Sequence, residues 1–331
     1  MSAPNLSELA TVAFESVTGE LADNVLHNIP FLREINKAGK VKPFDGGEYI
    51  RHEFIYDENG TYTRYNGWEE INISPLNTIS AARYAIKQIA VSVSINGLEE
   101  LQAAGKAQLI DLLEGRIESM KATYYNNMSI DLLSTGTASG GKQIGGLQSI
   151  VADAPSSGVV GGVDAATWSF WRNYSYDSLS DGGANASSSN IESYMTQVLL
   201  NVTRNEDRPD LILADNNYWK HYHDSLTSIQ RIAMDSSKKG SKYGSGYGTG
   251  SLEFSADIPV MLGGGLGGAC PENHMYFLNL KHLMLRPHTK RNMTTLGEDR
   301  YSTNQDGFVR LVGWAGNLTC GNRQLQGVLK E

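Results

Sequence analysis

Along residues 89–95 the apolar positions alternate with small or polar ones. Ile89, Val91, Val93 and Ile95 point one way; Ala90, Ser92 and Ser94 point the other. A period of two places successive side chains on opposite faces and predicts a β-strand. The pattern runs back through "TISAARYAIKQIA", and the earlier run "EYIRHEFIY" from Glu48 is β-branched and aromatic, so it also reads as strand. Between them lies "DENGTYTRYNGWEEINISPLN", which is polar and rich in turn residues. Two strands around a tip of about 20 residues make a long β-hairpin, since turns inside compact domains use roughly 2–5. A projecting hairpin of this kind is expected to reach a neighbouring subunit.

At Asn96 the period changes to 3.6. Leu98, Leu101, Leu109, Leu112, Leu113, Ile117, Met120, Tyr124, Met128 and Leu132 recur at helical spacing. Asn96 is the expected N-cap, and Glu99 and Glu100 fall in the first turn, where the helix dipole favours acidic side chains. A helix of about 35 residues would span roughly 50 Å, well beyond the usual length of about 11–12 residues. Gly105 and Gly115 are the points where it would divide or bend. The stripe lacks a sustained a/d heptad, so a helix lying across a sheet fits better than a coiled coil.

Upstream, the first 40 residues hold a helix-forming stretch that Pro30 is expected to interrupt, and they read as an arm rather than a domain. Downstream, "GGLQSIVAD" reads as a short strand region and "PSSGVVGGVDAATWSFWRN" as a glycine-rich connection anchored by Trp168 and Trp171. "NIESYMTQVLLNVTR" and "NNYWKHYHDSLTSIQRIAM" read as helices around a short buried strand, "PDLILAD". The chain closes on strands in "HMYFLNLKHLMLRPH" and "GFVRLVGWAGNLTCGNRQLQGVL". The mixture is α+β.

Composition narrows the partners more than the fold. With 331 residues, roughly two domains are expected. A net charge of −8 with no basic block disfavours a nucleic-acid-gripping surface. Cys270 and Cys320 are too few for a disulfide framework or a four-cysteine zinc site. No basic-then-apolar leader and no apolar run long enough to span a membrane is readable, so the chain reads as soluble.

Three stretches imitate chemistry. Gly263, Gly265 and Gly268 match the dinucleotide pattern G-x-G-x-x-G, but that site needs a helix opening on its last glycine. Pro271 and a β-rich run follow instead, which predicts a strand–loop–strand connection. His221 and His223 sit two apart in a helical segment, where they do not share a face, and no cluster of further ligands accompanies them. Asp207, Asp210 and Asp215 flank a strand and are expected to cap helices and turns. "KKGSKYGSGYG" interleaves Lys and Tyr and reads as an exposed loop. No catalytic, cofactor-binding or metal constellation remains, so the chain is expected not to be an enzyme.

Arm, projecting hairpin, outsized helix and glycine-rich α/β region occur here in an order that resembles the HK97-type major capsid (coat) proteins of tailed bacteriophages. The resemblance rests on "AVSVSINGLEELQAAGKAQLIDLL", "GGLQSIVAD…GVVGGVDAATWSFWRN", "CPENHMYFLNLKHLML" and "WAGNLTCGNRQLQGVL" and covers nearly the whole chain. It implies an N-terminal arm over 1–40 and an extended loop (E-loop) hairpin with its base strands over 41–95, the loop itself at about Glu48–Arg83. It further implies a spine helix at about Leu98–Ser134 and first peripheral-domain strands within 96–151, those strands at 140–151. An axial domain would occupy 152–303, and C-terminal strands over 304–331 would return to the peripheral domain.

The function implied is self-assembly, as hexamers and pentamers, into an icosahedral virion head enclosing double-stranded DNA. The partners implied are a portal and a separate scaffold, with a cement protein left open, no sequence-specific DNA contact and no membrane. Synthesis would take place in the bacterial host cytoplasm. An encapsulin-like shell around protein cargo is the runner-up, and a monomeric glycan-binding or hydrolytic domain the alternative from another class. On this reading the E-loop tip supplies the inter-subunit contact through Tyr62, Arg64, Tyr65, Trp68, Glu69 and Glu70. Some such shells cross-link through an E-loop lysine; here residues 48–83 contain Arg51, Arg64 and Arg83 but no lysine, so a non-covalent shell is expected.

Overall fold

The structure, a computed structural model, describes residues 29–74, 77–102, 106–229, 252–255, 258–265, 268–297, 300–301 and 306–331. The "KKGSKYGSGYG" loop, Gly105 and residues 1–28 of the expected arm lie outside the described residues.

Pro30 does not interrupt a helix; it opens one, Pro30–Lys37. At the first helical position the missing N–H would have had no partner, and the ring fixes φ at a helical value. Ile29, Phe31, Leu32 and Ile35 are buried, so this part of the expected arm belongs to the core.

Strands β1 (Tyr49–Ile55) and β2 (Ile79–Ala85) pair antiparallel from Tyr49↔Ala85 to Ile55↔Ile79 and form the hairpin. The alternating run then changes sheets at Ile86. Strand β3 (Lys87–Asn96) pairs with a long C-terminal strand from Lys87↔Gly316 to Asn96↔Gly307. Asn96 and Glu99 form a reciprocal cap: the Asn96 side chain accepts from Leu98 N–H (3.3 Å), and Glu99 accepts from Asn96 N–H (3.2 Å). Helical segments Gly97–Gln102 and Lys106–Leu133 follow, with Gly115 inside the second. The side chains of residues 100–113 lie outside the description, whereas Ile117, Met120, Tyr124, Met128 and Leu132 form a buried stripe.

The strands expected at 140–151 are not there. Short helical turns, Ala138–Gly141 and Leu147–Ile150, take their place. Ser139, Gly140 and Gly141 have φ values of 54°, 68° and 77°, a left-handed path that no strand follows, and Leu147 and Ile150 bury at helical spacing.

Two small strands, β4 (Val159–Val160) and β5 (Val163–Asp164), turn back on one another. The remainder is β6 (Tyr174–Asp177), β7 (Leu211–Ala214), β8 (Leu252–Phe254), β9 (Ile258–Leu262), β10 (His274–Leu278), β11 (Leu283–Thr295), β12 (Arg300–Tyr301), β13 (Gly307–Cys320) and β14 (Gly327–Lys330). Six of these form a sheet in the order β6-β14-β10-β7-β9-β8, while β11, β13 and β12 with β3 form a second. The sheets therefore do not divide the chain at 303. Strand β11 pairs with β13 from Leu283↔Cys320, which puts residues 283–295 beside β3, and β14 leaves the C-terminal block to join the six-stranded sheet.

Helices Ile191–Val202 and Asn216–Ile229 contribute Met195, Val198, Tyr218 and Tyr222 to a core that includes one set of side chains from the six-stranded sheet, among them Ile212, Val260 and Phe277. The opposite set, including Leu213, Met261 and Tyr276, joins the long helix, the first helix and the second sheet in one larger core. Arg323 is fully buried and ties three segments together: Nε donates to the Ile150 carbonyl (2.6 Å), Nη1 to that of Trp171 (2.9 Å) and Nη2 to Asn173 Oδ1 (3.1 Å). Among the described residues, no helix is long and apolar enough to cross a membrane.

Candidate assembly surface on the hairpin

The hairpin has an anchored root and a bare tip. One face of its two strands carries Ile50, His52, Phe54, Ala82 and Tyr84, the other Tyr49, Arg51, Glu53, Ile55, Ile79 and Arg83, as strand alternation and the register require. The first face packs on the molecule. The buried Tyr84 hydroxyl donates to the Cys320 carbonyl (2.9 Å) and accepts from Cys320 N–H (3.2 Å). Phe54 lies 4.6 Å from Trp171 and 5.8 Å from Phe170, centroid to centroid. His52 Nδ1 sits 3.2 Å from Thr319 Oγ1, and burial, followed by the charges of Arg286, His282 and Lys42, lowers this imidazole to about 4. Gly161, at φ +61°, accepts from Arg83 N–H (2.7 Å), and a Cβ there would come within 2.8 Å of Ala82. Glycine is needed at that approach.

Beyond Ile55 the neck is closed by Tyr56, whose N–H donates to the Thr78 carbonyl (3.0 Å) and whose hydroxyl donates to that of Asn77 (2.5 Å). The tip is then organised by its own short side chains. Asn59 Oδ1 accepts from Thr61 N–H (3.1 Å) and hydroxyl (2.8 Å), and Asn72 Oδ1 accepts from Ser74 N–H (3.1 Å). Gly67 takes φ +61°, and Glu69 accepts from Asn66 N–H (3.0 Å). The Arg64 guanidinium lies 6.0 Å from the centre of the Tyr62 ring. The expected contact residues thus share a loop rather than a pocket.

The tip's apolar groups face solvent. Tyr62 is 80% exposed, Tyr65 63% and Trp68 fully so. Ile71 and Ile73 are exposed as well, as are Ile55 and Ile79, which face each other across the last rung of the hairpin. The four isoleucines were not among the residues expected from sequence. Their signal was the alternation of Ile71 and Ile73, masked by a segment that read as loop. A loop that keeps its backbone ordered by Asx turns while leaving aromatic and branched side chains in water carries the composition of a protein–protein contact.

The other candidates resolve as structure. Gly263, Gly265 and Gly268 lie in a connection from β9 to β10, and no helix opens after Gly268. The glycines let backbone fold on backbone, since a Cβ on Gly268 would sit 2.3 Å from the Gly264 oxygen. Asp215 caps helix Asn216–Ile229, accepting from Asn217 N–H (3.2 Å) and Tyr218 N–H (2.8 Å), and also holds Asn273 N–H (2.8 Å). Asp207 pairs with Lys281 at 2.6 Å, which holds its carboxyl below the usual range, whereas burial raises Asp210. His223 stacks on Trp219, with ring centres 5.4 Å apart. Cys270 and Cys320 are free thiols. Among the described residues, no three His, Cys, Asp or Glu side chains are grouped to hold a metal ion.

No family model matches this sequence, and no curated protein matches it. Solved structures do. The cyanophage A-1(L) capsid subunit is 15% identical over 88% of this chain and 90% of its own, with a TM-score of 0.61. A chain from Mycobacterium phage Bobi is 9% identical, with 88% of this chain and 89% of that one covered and a TM-score of 0.54. The fold is that of the HK97-type capsid proteins. It is shared with the SrpI encapsulin of Synechococcus elongatus, 10% identical over 89% of this chain and 86% of that one, at a TM-score of 0.51.

Proposed function

We propose that this chain is the major capsid protein of a tailed phage, a structural rather than catalytic protein. Many copies, as hexamers and pentamers, close into an icosahedral head around double-stranded DNA. The observation that carries this reading is a hairpin fixed at its root by Tyr84, Phe54 and Trp171 and bare at its tip, on a fold used by shell-forming proteins. In the assembled head Tyr62, Arg64, Tyr65, Trp68, Glu69 and Glu70 contact the neighbouring subunit. The second sheet and long helix serve as the peripheral domain, and the six-stranded sheet as the axial domain. The protein is made in the bacterial host cytoplasm and acts in the virion, with a portal and a separate scaffold as partners and a cement protein as an optional one.

An encapsulin-like shell is the second reading, favoured by the SrpI likeness at a TM-score of 0.51. The phage reading is preferred on the higher score of 0.61. The acidic balance of −8 fits it too, since a wall of dense Lys/Arg would bind the phosphate backbone at every contact and hinder release. Expression of the full chain, alone and with candidate scaffold and portal genes, followed by electron microscopy tests the proposal. Closed particles are expected, and nuclease-protected DNA in particles from infected cells separates a genome head from a cargo shell. A protein that stays monomeric under all these conditions overturns both readings.

A further inference from the structure

We propose that the hairpin base carries the receptor for a second copy's hairpin tip: a cleft formed by Arg51, Arg83 and Arg286 that accepts the adjacent carboxylates Glu69 and Glu70. This inference rests on the shell reading and adds where the tip lands.

Arg51 and Arg83 are direct partners in the β1–β2 register and lie on the exposed face of the hairpin. Like charges facing each other across an antiparallel pair repel, and among the described residues no carboxylate closes an ion pair with either arginine. Arg286, half-buried on β11, lines the same open cleft of about 460 Å³, and its Nε is buried without a hydrogen-bond partner. Two carboxylates are near, Glu48 in the cleft wall and Glu53 one step along the same strand face. Neither forms an ion pair with any of the three guanidiniums among the described residues, although salt bridges elsewhere in the chain close to 2.5–3.6 Å. The cleft is therefore lined by three arginines against one carboxylate, Glu48, and among the described residues none of the three closes an ion pair. Planar guanidiniums with free donors select carboxylates or phosphates.

The tip has the opposite character. Residues 56–74 contain Asp57, Glu58, Glu69 and Glu70 against one cation, Arg64, and all five are exposed. Glu69 and Glu70 directly follow Trp68, whose indole is bare, so charged and apolar contacts would be made together. A chain cannot dock its own tip. The strands stay paired to Ile55↔Ile79, roughly 13 Å beyond the Arg51–Arg83 rung at about 3.3 Å per residue, and lead the tip away from the cleft. Since no carboxylate among the described residues pairs with these arginines, the tip of another copy is the partner assigned to them. A phosphate backbone is the competing anion, and the absence of any basic block in a chain of net charge −8 weighs against it.

Charge exchange tests the assignment in the full-length chain. Glu69→Arg with Glu70→Arg, and separately Arg51→Glu with Arg83→Glu, are each expected to lower the yield of closed shells by about tenfold or more, as mispaired interface charges do. The chain carrying all four changes is expected to recover shells to within about threefold of wild type, because tip and cleft are again complementary. A neutral variant, Arg51→Gln with Arg83→Gln, controls for folding: it should lose shells yet melt no lower than wild type as an unassembled subunit, since it relieves repulsion. The assignment is overturned if either charge-reversed set assembles normally, or if the fourfold variant stays unassembled while folded. It is overturned too if nuclease treatment, rather than tip reversal, abolishes assembly, which would make phosphate the anion. If the wild-type chain gives no particles even with the scaffold and portal genes present, the shell reading falls first and this inference with it.

Discussion

Trp68 and Trp171 show what separates a contact residue from a core residue here. Trp171 is 1% exposed, stacks near Phe54 and donates its indole N–H to the Val160 carbonyl at 2.9 Å. Trp68 has no such neighbours and is fully exposed. Replacing Trp68 and Tyr65 with alanine should therefore leave the melting temperature of the free subunit unchanged while abolishing particles, because a buried aromatic anchor carries about 2 kcal/mol or more at each interface. Gel filtration beside a thermal melt checks this; normal particles, or a subunit that no longer folds, would contradict it. His52 gives a second residue-scale expectation. Its value, lowered from 6.5 to about 4, means that the fold holds it neutral while the unfolded chain takes up a proton. Its contribution is complete above about 6.5 and is lost as pH falls toward about 4. The melting temperature should drop between pH 7 and pH 5, and less so in His52→Gln; equal drops in both proteins would remove His52 from the account.

At the scale of elements, β3 and the long helix were legible because their periods are pure: alternation over Ile89–Ile95, then 3.6 from Ile117 to Leu132. The handover at Ile86 was not. Both sides of it are strands of the same period, and only the partners differ: β1 for residues 79–85, β13 for 87–96. Pairing is a long-range property that local pattern does not encode. The turns at 138–150 were misread because "GGLQSIVAD" has strand composition, while the path is set by left-handed Ser139, Gly140 and Gly141. Pro30 was misread because a proline ends a helix or begins one according to what precedes it. The tip residues named from sequence are on the surface as their loop setting required, but the Arg51–Arg83 rung needed the register. One property of the hairpin does follow from composition alone. Residues 48–83 contain no lysine, so no amine is available there for an isopeptide bond. Mature particles boiled in denaturant should run as a single band near 36.1 kDa; a ladder that resists reductant would contradict this.

At the scale of the whole molecule, two sheets and one long helix make a continuous core from Ile29 to Val328, and Arg323 locks the segments between them. The projecting hairpin packs its root into a separate small cluster with Phe44 and Trp171, and among the described residues nothing covers its apolar tip. The most direct measurement is a reconstruction of the purified particle by electron cryo-microscopy, tracing residues 56–74. The account predicts a closed shell in which Trp68 is buried against a neighbouring subunit and Glu69 and Glu70 lie at its Arg51–Arg83 rung. A tip free in solvent or folded onto its own subunit, or a protein that forms no shell, would contradict it.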